Sequence, residues 1–181
     1  MVTAWNYHIG VASRLGGRVL DAGCGNGDYT LFLAAQGCDV TSLDIQPIDS
    51  SHHGVRYCDN VPGGRYVQGD VQALPFSDGS FDGVLCWDML QNVKDAPLAL
   101  REFRRVLLPG GLCSVRTTIR RTIPWVKPGE TAECGSSGVS FICWTVWNPD
   151  ELIAHAERAG FRPLVMTVDP WNHQCYLGEA I

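Results

Sequence analysis

Val19-Leu20-Asp21-Ala22-Gly23-Cys24-Gly25-Asn26-Gly27-Asp28 is an apolar strand that runs straight into a glycine-rich turn, with an acid just ahead of the first glycine. Glycines at 23, 25 and 27 let the backbone turn sharply and approach a ligand with no Cβ in the way. The G-x-G-x-x-G fingerprint that grips a dinucleotide pyrophosphate on a helix N-terminus fails here, because Asp28 stands where its third glycine should be. Asp21 argues the same way, since a carboxylate beside an anionic diphosphate is repelled. A ligand carrying an ammonium and a sulfonium would tolerate that acid or benefit from it.

Working outward, short apolar runs alternate with helical patterns, which marks a parallel α/β sheet. Arg18 to Asp21, Val40 to Leu43, Arg65 to Gln68, Phe81 to Trp87 and Leu112 to Ile119 read as five strands. A helix is expected over Tyr29 to Gln36, and another from Asp95 to the Pro109-Gly110-Gly111 stop, with Ala96, Ala99, Leu100, Phe103, Val106 and Leu107 at helical spacing. Ile45 to Gly64 is weakly helical at best. A Gly- and Ser-rich loop is expected to run to about Gly138, and Trp144 to Trp147 reads as a strand. Asn148-Pro149-Asp150-Glu151 opens the last helix with a capping box. Arg162 to Val168 and Gln174 to Gly178 close the chain as a pair of strands. The fold class is therefore α/β: a Rossmann-like, doubly wound, seven-stranded, mostly parallel sheet with an antiparallel last strand. A single domain over residues 1–181 is long enough to bury roughly two-thirds of the surface its unfolded chain exposes.

Composition narrows the function classes. The formal net charge of −5 gives no basic footprint, which makes nucleic acid an unlikely partner. No run of about 18 apolar residues reads as a membrane span, and residues 1–6 have no signal-peptide pattern. The eight cysteines form no C-x-x-C pair and have no histidine at zinc-ligand spacing, so no metal site is expected. Cys24, Cys86, Cys113 and Cys175 lie in or beside strands, where a free thiol packs as a small hydrophobe. Reduced thiols point to a cytoplasmic chain.

Ligands of an open parallel sheet bind at the carboxyl ends of its strands. Asp21 to Gly27 follow the first strand, Asp44 the second, Asp70 the third, and Cys86-Trp87-Asp88 the fourth. Asp44 lies 17 residues after Gly27, a spacing that suits a carboxylate accepting both ribose hydroxyls. Asp70 can accept from an adenine amino group. The glycine turn and three acids in register together indicate a cationic nucleoside ligand.

With those residues in place, the chain resembles the class I S-adenosylmethionine-dependent methyltransferases, in the small-molecule branch that includes ubiquinone and menaquinone C-methyltransferases. The resemblance rests on Val19 to Gly27, Val40-Thr41-Ser42-Leu43-Asp44, Gly69-Asp70-Val71-Gln72-Ala73-Leu74-Pro75-Phe76, Ser80-Phe81-Asp82 and Arg105-Val106-Leu107-Leu108-Pro109-Gly110-Gly111. It implies S-adenosylmethionine as cofactor, methyl transfer to a small-molecule acceptor, and binding roles for Asp21, Gly23, Cys24, Gly25, Gly27, Asp44, Ile45, Asp70, Val71 and Cys86. Within that set, Ile45 would pack on adenine, the Val71 N–H would read its edge, and the carbonyl near Cys86 would accept from the ammonium. Asn92 stands where such enzymes often carry a histidine, and only about 18 residues precede the first strand, so a reduced roof over the acceptor pocket is expected. That leaves room for a homodimer in which a second subunit closes the pocket.

Candidates for the acceptor side are Tyr7, His8, Trp87, Asp88, Asn92 and Trp125. His8 has the plainer reading of a solvated N-terminal residue, and His52, His53, His155 and His173 read as surface or packing groups. Two other functions fit the same motifs: a methyltransferase for tRNA or protein, and a catalytically silent S-adenosylmethionine-binding protein that acts through a partner.

Overall fold

Burial along Phe81–Trp87 shows why the sheet is covered on both sides, because all of its residues except Asp82 are buried. Val84 and Cys86 enter one apolar cluster and Leu85 and Trp87 the other, since successive side chains leave a strand on opposite faces. The computed structural model describes residues 9–46, 64–119, 147–170 and 173–181, and the backbone alone of 130–134 and 139–143. In chain order the strands are β1 (Arg18–Ala22), β2 (Asp39–Asp44), β3 (Arg65–Gln68), β4 (Phe81–Trp87), β5 (Leu107–Thr118), β6 (Glu130–Cys134), β7 (Val139–Cys143), β8 (Phe161–Val168) and β9 (His173–Ala180). The helices are α1 (Asp28–Ala35), α2 (Ala96–Val106) and α3 (Pro149–Arg158).

Among the described residues the main sheet has seven strands in the order β3-β2-β1-β4-β5-β9-β8. The pairs from β3 to β5 are parallel, and β9 runs antiparallel to both β5 and β8. The expected architecture is therefore the one observed. The order reverses between β1 and β4, which opens the crevice where a ligand sits. No described helix is long and apolar enough to cross a membrane.

One face of the sheet packs on α2 and α3 through Leu100, Phe103, Leu152 and Ala156. The other packs on α1 through Leu33, and on Ala12 and Leu15 ahead of β1. Local chemistry sets the helix starts. The Asp95 carboxylate accepts from the Leu98 N–H at 2.9 Å and a proline sits in the first turn of α2. Glu151 Oε2 accepts from the Asn148 N–H at 2.8 Å and the Asn148 side chain accepts from the Glu151 N–H, which forms the expected capping box.

Three boundaries differ from the sequence reading. α2 ends at Val106 rather than at the Pro109 stop, because Leu107 is already extended and pairs with Phe81. The expected Gly/Ser loop contains strand β6, which pairs antiparallel with β7 just beyond it, in register from Glu130–Cys143 to Cys134–Val139. The expected strand over Trp144 to Trp147 lies mostly outside the described residues, and Trp147 itself makes an isolated parallel bridge with Ile119. Most of the segment Ile45 to Gly64 also lies outside them.

Candidate functional site

Gly23, Gly25 and Gly27 all adopt positive φ, at 79°, 52° and 89°, a region that costs other residues about 1–2 kcal/mol each. The turn they form is tied to the end of β2, where the Leu43 carbonyl accepts the Gly23 and Cys24 N–H groups at 2.7 and 3.1 Å. A Cβ on Gly23 would collide with the Met89 side chain, whereas one on Gly25 would enter open space. The backbone is thus exposed toward the crevice at Gly25.

Asp44, the last residue of β2, is held from two sides. Its Oδ2 accepts from the Gly25 N–H and its Oδ1 from the Gln46 N–H, each at 3.0 Å. Each oxygen retains a further acceptor site for a ligand donor. Ile45 follows with its side chain 62% exposed beside the cleft. Across the cleft, the carboxylate of Asp70 accepts from the Gln72 N–H at 2.8 Å and from Gln72 Nε2. Gln72 Oε1 in turn accepts from the Asp95 N–H at 2.9 Å, which joins this loop to the start of α2.

Arg105 clamps the loop from below. It donates to the carbonyls of Phe76 and Leu74 at 2.7 and 3.0 Å, and to Asp78 and Glu102 at 2.7–2.8 Å. Glu102 also accepts from the Leu74 N–H. Its bond from Arg105 holds its carboxyl below the ordinary range.

These walls enclose a cleft of about 390 Å³ at the carboxyl ends of β1, β2, β3 and β4, within the usual span of small-molecule sites. Six of the ten expected cofactor residues line it: Gly23, Gly25, Asp44, Ile45, Asp70 and Val71. Asp88 and Asn92 of the acceptor candidates line it too, and Met89, Gln72 and Val93 join them without having been expected.

The other four expected cofactor residues sit beneath it. Asp21 is 1% exposed and accepts from Thr30 Oγ1 at 2.6 Å, while Thr30 shares a 2.9 Å bond with Ser42 Oγ. In this position Asp21 fastens α1 to β1 and β2 rather than facing the cleft. Cys24 is buried behind the turn, and Gly27 caps α1. Cys86 is fully buried, and burial pushes its thiol well above the ordinary range. Trp87 is buried under the site: it meets Tyr29 edge-on at 5.1 Å and donates from Nε1 to Ser114 at 2.9 Å. Tyr7, His8 and Trp125 lie outside the described residues.

Beside the cleft is a polar cluster that sequence reasoning missed. Asp88 is a non-glycine residue at φ 59°, and its Oδ2 accepts from Arg116 Nη1 at 2.6 Å and from the Tyr29 hydroxyl at 3.1 Å. Burial first, then the Asp88 carboxylate, push the Tyr29 phenol well above its ordinary pKa. Arg116 Nη2 lies 3.4 Å from His173 Nδ1, which is 3.1 Å from Asp169 Oδ2. His173, read from the sequence as a surface group, is instead partly buried against a buried carboxylate. Asp169 and His173 are brought to this edge by β8 and β9. The only sequence signal was an aspartate and a histidine at the turn between the two closing strands.

Comparison with known proteins agrees with this geometry. A model of the methyltransferase domain family matches residues 20–115. A malonyl-[acyl-carrier protein] O-methyltransferase of Erwinia pyrifoliae is 46% identical over 96 residues, covering 52% of this chain and 34% of that protein. A demethylmenaquinone methyltransferase of Staphylococcus haemolyticus is 34% identical over 131 residues, covering 68% and 53%. The chain thus spans about half or less of the length of these curated relatives. The crystal structure of a Burkholderia thailandensis 1,6-didemethyltoxoflavin-N1-methyltransferase, with S-adenosylhomocysteine bound, superposes with a TM-score of 0.70 over 96% of this chain and 74% of that one. At 19% identity that likeness speaks to the fold. The match over residues 20–115 takes in every wall of the cleft, and the chain belongs to the methyltransferase domain family.

Proposed function

We propose that this chain is an S-adenosylmethionine-dependent methyltransferase acting on a small molecule. One observation carries the reading: the described lining of the cleft contains three carboxylates, Asp44, Asp70 and Asp88, and no lysine or arginine. Such a wall repels a dinucleotide pyrophosphate, and it suits a ligand with a cationic amino acid at one end and a hydroxyl- and amine-bearing nucleoside at the other. The residues present fit that ligand. Asp44, fixed by two backbone N–H groups, is poised to accept from both ribose hydroxyls. Ile45 offers an exposed apolar surface to a flat base, and Asp70 with the Val71 N–H faces its polar edge. The exposed backbone at Gly25 admits the amino-acid end, with the carbonyl near Cys86 as the acceptor for its ammonium.

S-adenosylmethionine supplies a methyl group on a sulfonium, which leaves by in-line displacement. The protein's part is then alignment and exclusion of water. Holding two reactants in near-attack geometry supplies about 7–11 kcal/mol of a barrier. Substrates of the relatives are a quinone and a carrier-bound malonyl group, as their names state. The test is transfer of labelled methyl from S-adenosylmethionine to a panel of hydroxyaromatics, thioester-linked carboxylates and nitrogen heterocycles, with bulk tRNA and unfolded protein as comparators. Label on one small-molecule class is the expected result; label only on tRNA or protein, or none at all, overturns it.

A further inference from the structure

The sheet order brings three residues distant in sequence to one place beyond Asp88. Because β9 is antiparallel and lies between β5 and β8, its first residue His173 pairs with Thr118 at the end of β5, while Asp169 follows the end of β8. Arg116 of β5 faces Cys175 in the same register. All of them therefore stand at the carboxyl edge of the sheet, the edge that bears the cleft.

The hydrogen bonds select the histidine's tautomer. His173 Nδ1 lies 3.1 Å from the Asp169 carboxylate and 3.4 Å from Arg116 Nη2. A carboxylate only accepts and a guanidinium only donates, so Nδ1 can satisfy one of them. Asp169 has a fully buried side chain, and its other oxygen already accepts from the His173 N–H at 2.8 Å. The shorter contact and the charged, buried acceptor assign the proton to Nδ1, pointing at Asp169. Arg116 is already engaged through Nη1, by Asp88 at 2.6 Å and Tyr29 at 3.1 Å. The lone pair of the ring is then on Nε2, which has no bond to any described residue on a side chain 25% exposed. Among the described residues, the groups facing the ring are thus Asp169 from the end of β8 and Arg116 from β5, with Asp88 and Tyr29 behind the guanidinium. Arg116 adds a second sign of a site kept for chemistry: its Nε is buried with no acceptor among the described residues, on a residue only 5% exposed.

We propose that His173 Nε2 is the general base of the methyl transfer, oriented by Asp169, and that the acceptor is a phenolic or enolic hydroxyl that must lose its proton to attack. This rests on the methyl-transfer reading above. The hydroxyl proton passes to Nε2, giving an imidazolium whose Nδ1–H stays on Asp169. The oxygen's electron pair forms the bond to the methyl carbon, and the sulfur–methyl bond breaks with its pair remaining on sulfur, leaving a neutral thioether and a methyl ether. A carboxylate acceptor is already ionised at neutral pH and would have no use for such a base. Asp169 acts through the ring and is a positioning residue.

Two measurements on the full chain test this. Long-range ¹H–¹⁵N spectra of the imidazoles, with His173 assigned by its loss in His173→Gln, are expected to show Nδ1–H in the wild type and a loss of that tautomer preference in Asp169→Ala. An Nε2–H tautomer overturns the proposal. In the second, calorimetry with S-adenosylmethionine is expected to give the same Kd for wild type and His173→Gln. Transfer to a panel of phenols and enols is expected to fall by about 100-fold or more in the variant, with the acid limb of the pH profile lost. A variant within threefold of wild type at every pH overturns the proposal, as does a wild type that binds the cofactor yet methylates no hydroxyl in the panel. A wild type that does not bind S-adenosylmethionine removes the methyl-transfer reading itself, which the calorimetric arm reports separately.

Discussion

Replacing Asp44 by alanine removes one carboxylate that does two jobs. In the free protein its oxygens accept from the Gly25 and Gln46 N–H groups at 3.0 Å each, and so hold the glycine turn against the end of β2. Both donors sit in half-exposed or exposed surroundings where water replaces part of the loss, so about 1 kcal/mol of folding stability is expected to go. For a chain of 181 residues that is a fall of roughly 2–4 °C in Tm. In the complex the same carboxylate accepts from ribose hydroxyls, and loss of a charge-assisted pair costs about 1–3 kcal/mol, or roughly 5- to 150-fold in Kd. Calorimetric titration of Asp44→Ala beside the wild type reads the binding part, and a thermal melt without ligand reads the other. Affinity within twofold of wild type would refute the ribose placement, whatever happened to Tm.

Further outcomes follow from the same walls. Gly25→Val puts a β-branched side chain at φ 52°, where its Cβ meets no described residue; cofactor binding is expected to be lost while the circular dichroism spectrum stays folded. Arg105→Ala frees the carbonyls of Leu74 and Phe76 and the Glu102 carboxylate. It should cost about 2–4 kcal/mol in a denaturant melt and weaken cofactor binding through the loop that carries Asp70, and a melt unchanged within 0.5 kcal/mol would show that the clamp is idle. Glu102 gives a pH signature of known sign. Its folded pKa lies below its ordinary 4.5, chiefly through Arg105, so the stability it contributes is complete above that value and is lost as pH falls through the folded one. The Tm gap between wild type and Glu102→Gln should therefore narrow below pH 4.5, and a gap that widens with acid would reverse the assignment.

The part of this site that was legible in the sequence is the part written in local chemistry. Glycines at alternate positions after an apolar run can serve little but a backbone turn; Asp44 ends β2 and Asp70 follows β3 by two residues, so their place at one edge follows from the parallel sheet. Side-chain direction was harder to read. Asp21 looked like a ligand neighbour, yet it lies on the strand face that meets α1, where Thr30 waits for it. The hairpin of β6 and β7 was hidden by its glycines and serines, which read as a loop. The Arg116, Asp169 and His173 cluster was beyond sequence reasoning for a topological reason: only the insertion of β9 between β5 and β8 brings those residues together.

Isothermal titration of the full chain with S-adenosylmethionine and S-adenosylhomocysteine, with NAD as the control, puts the acid-lined cleft to its plainest test. Micromolar binding of both adenosyl ligands with no heat from NAD is the expected outcome. Binding of NAD, or silence from all three, would mean that the cleft walled by Asp44, Asp70 and Asp88 does not hold the cofactor assigned to it.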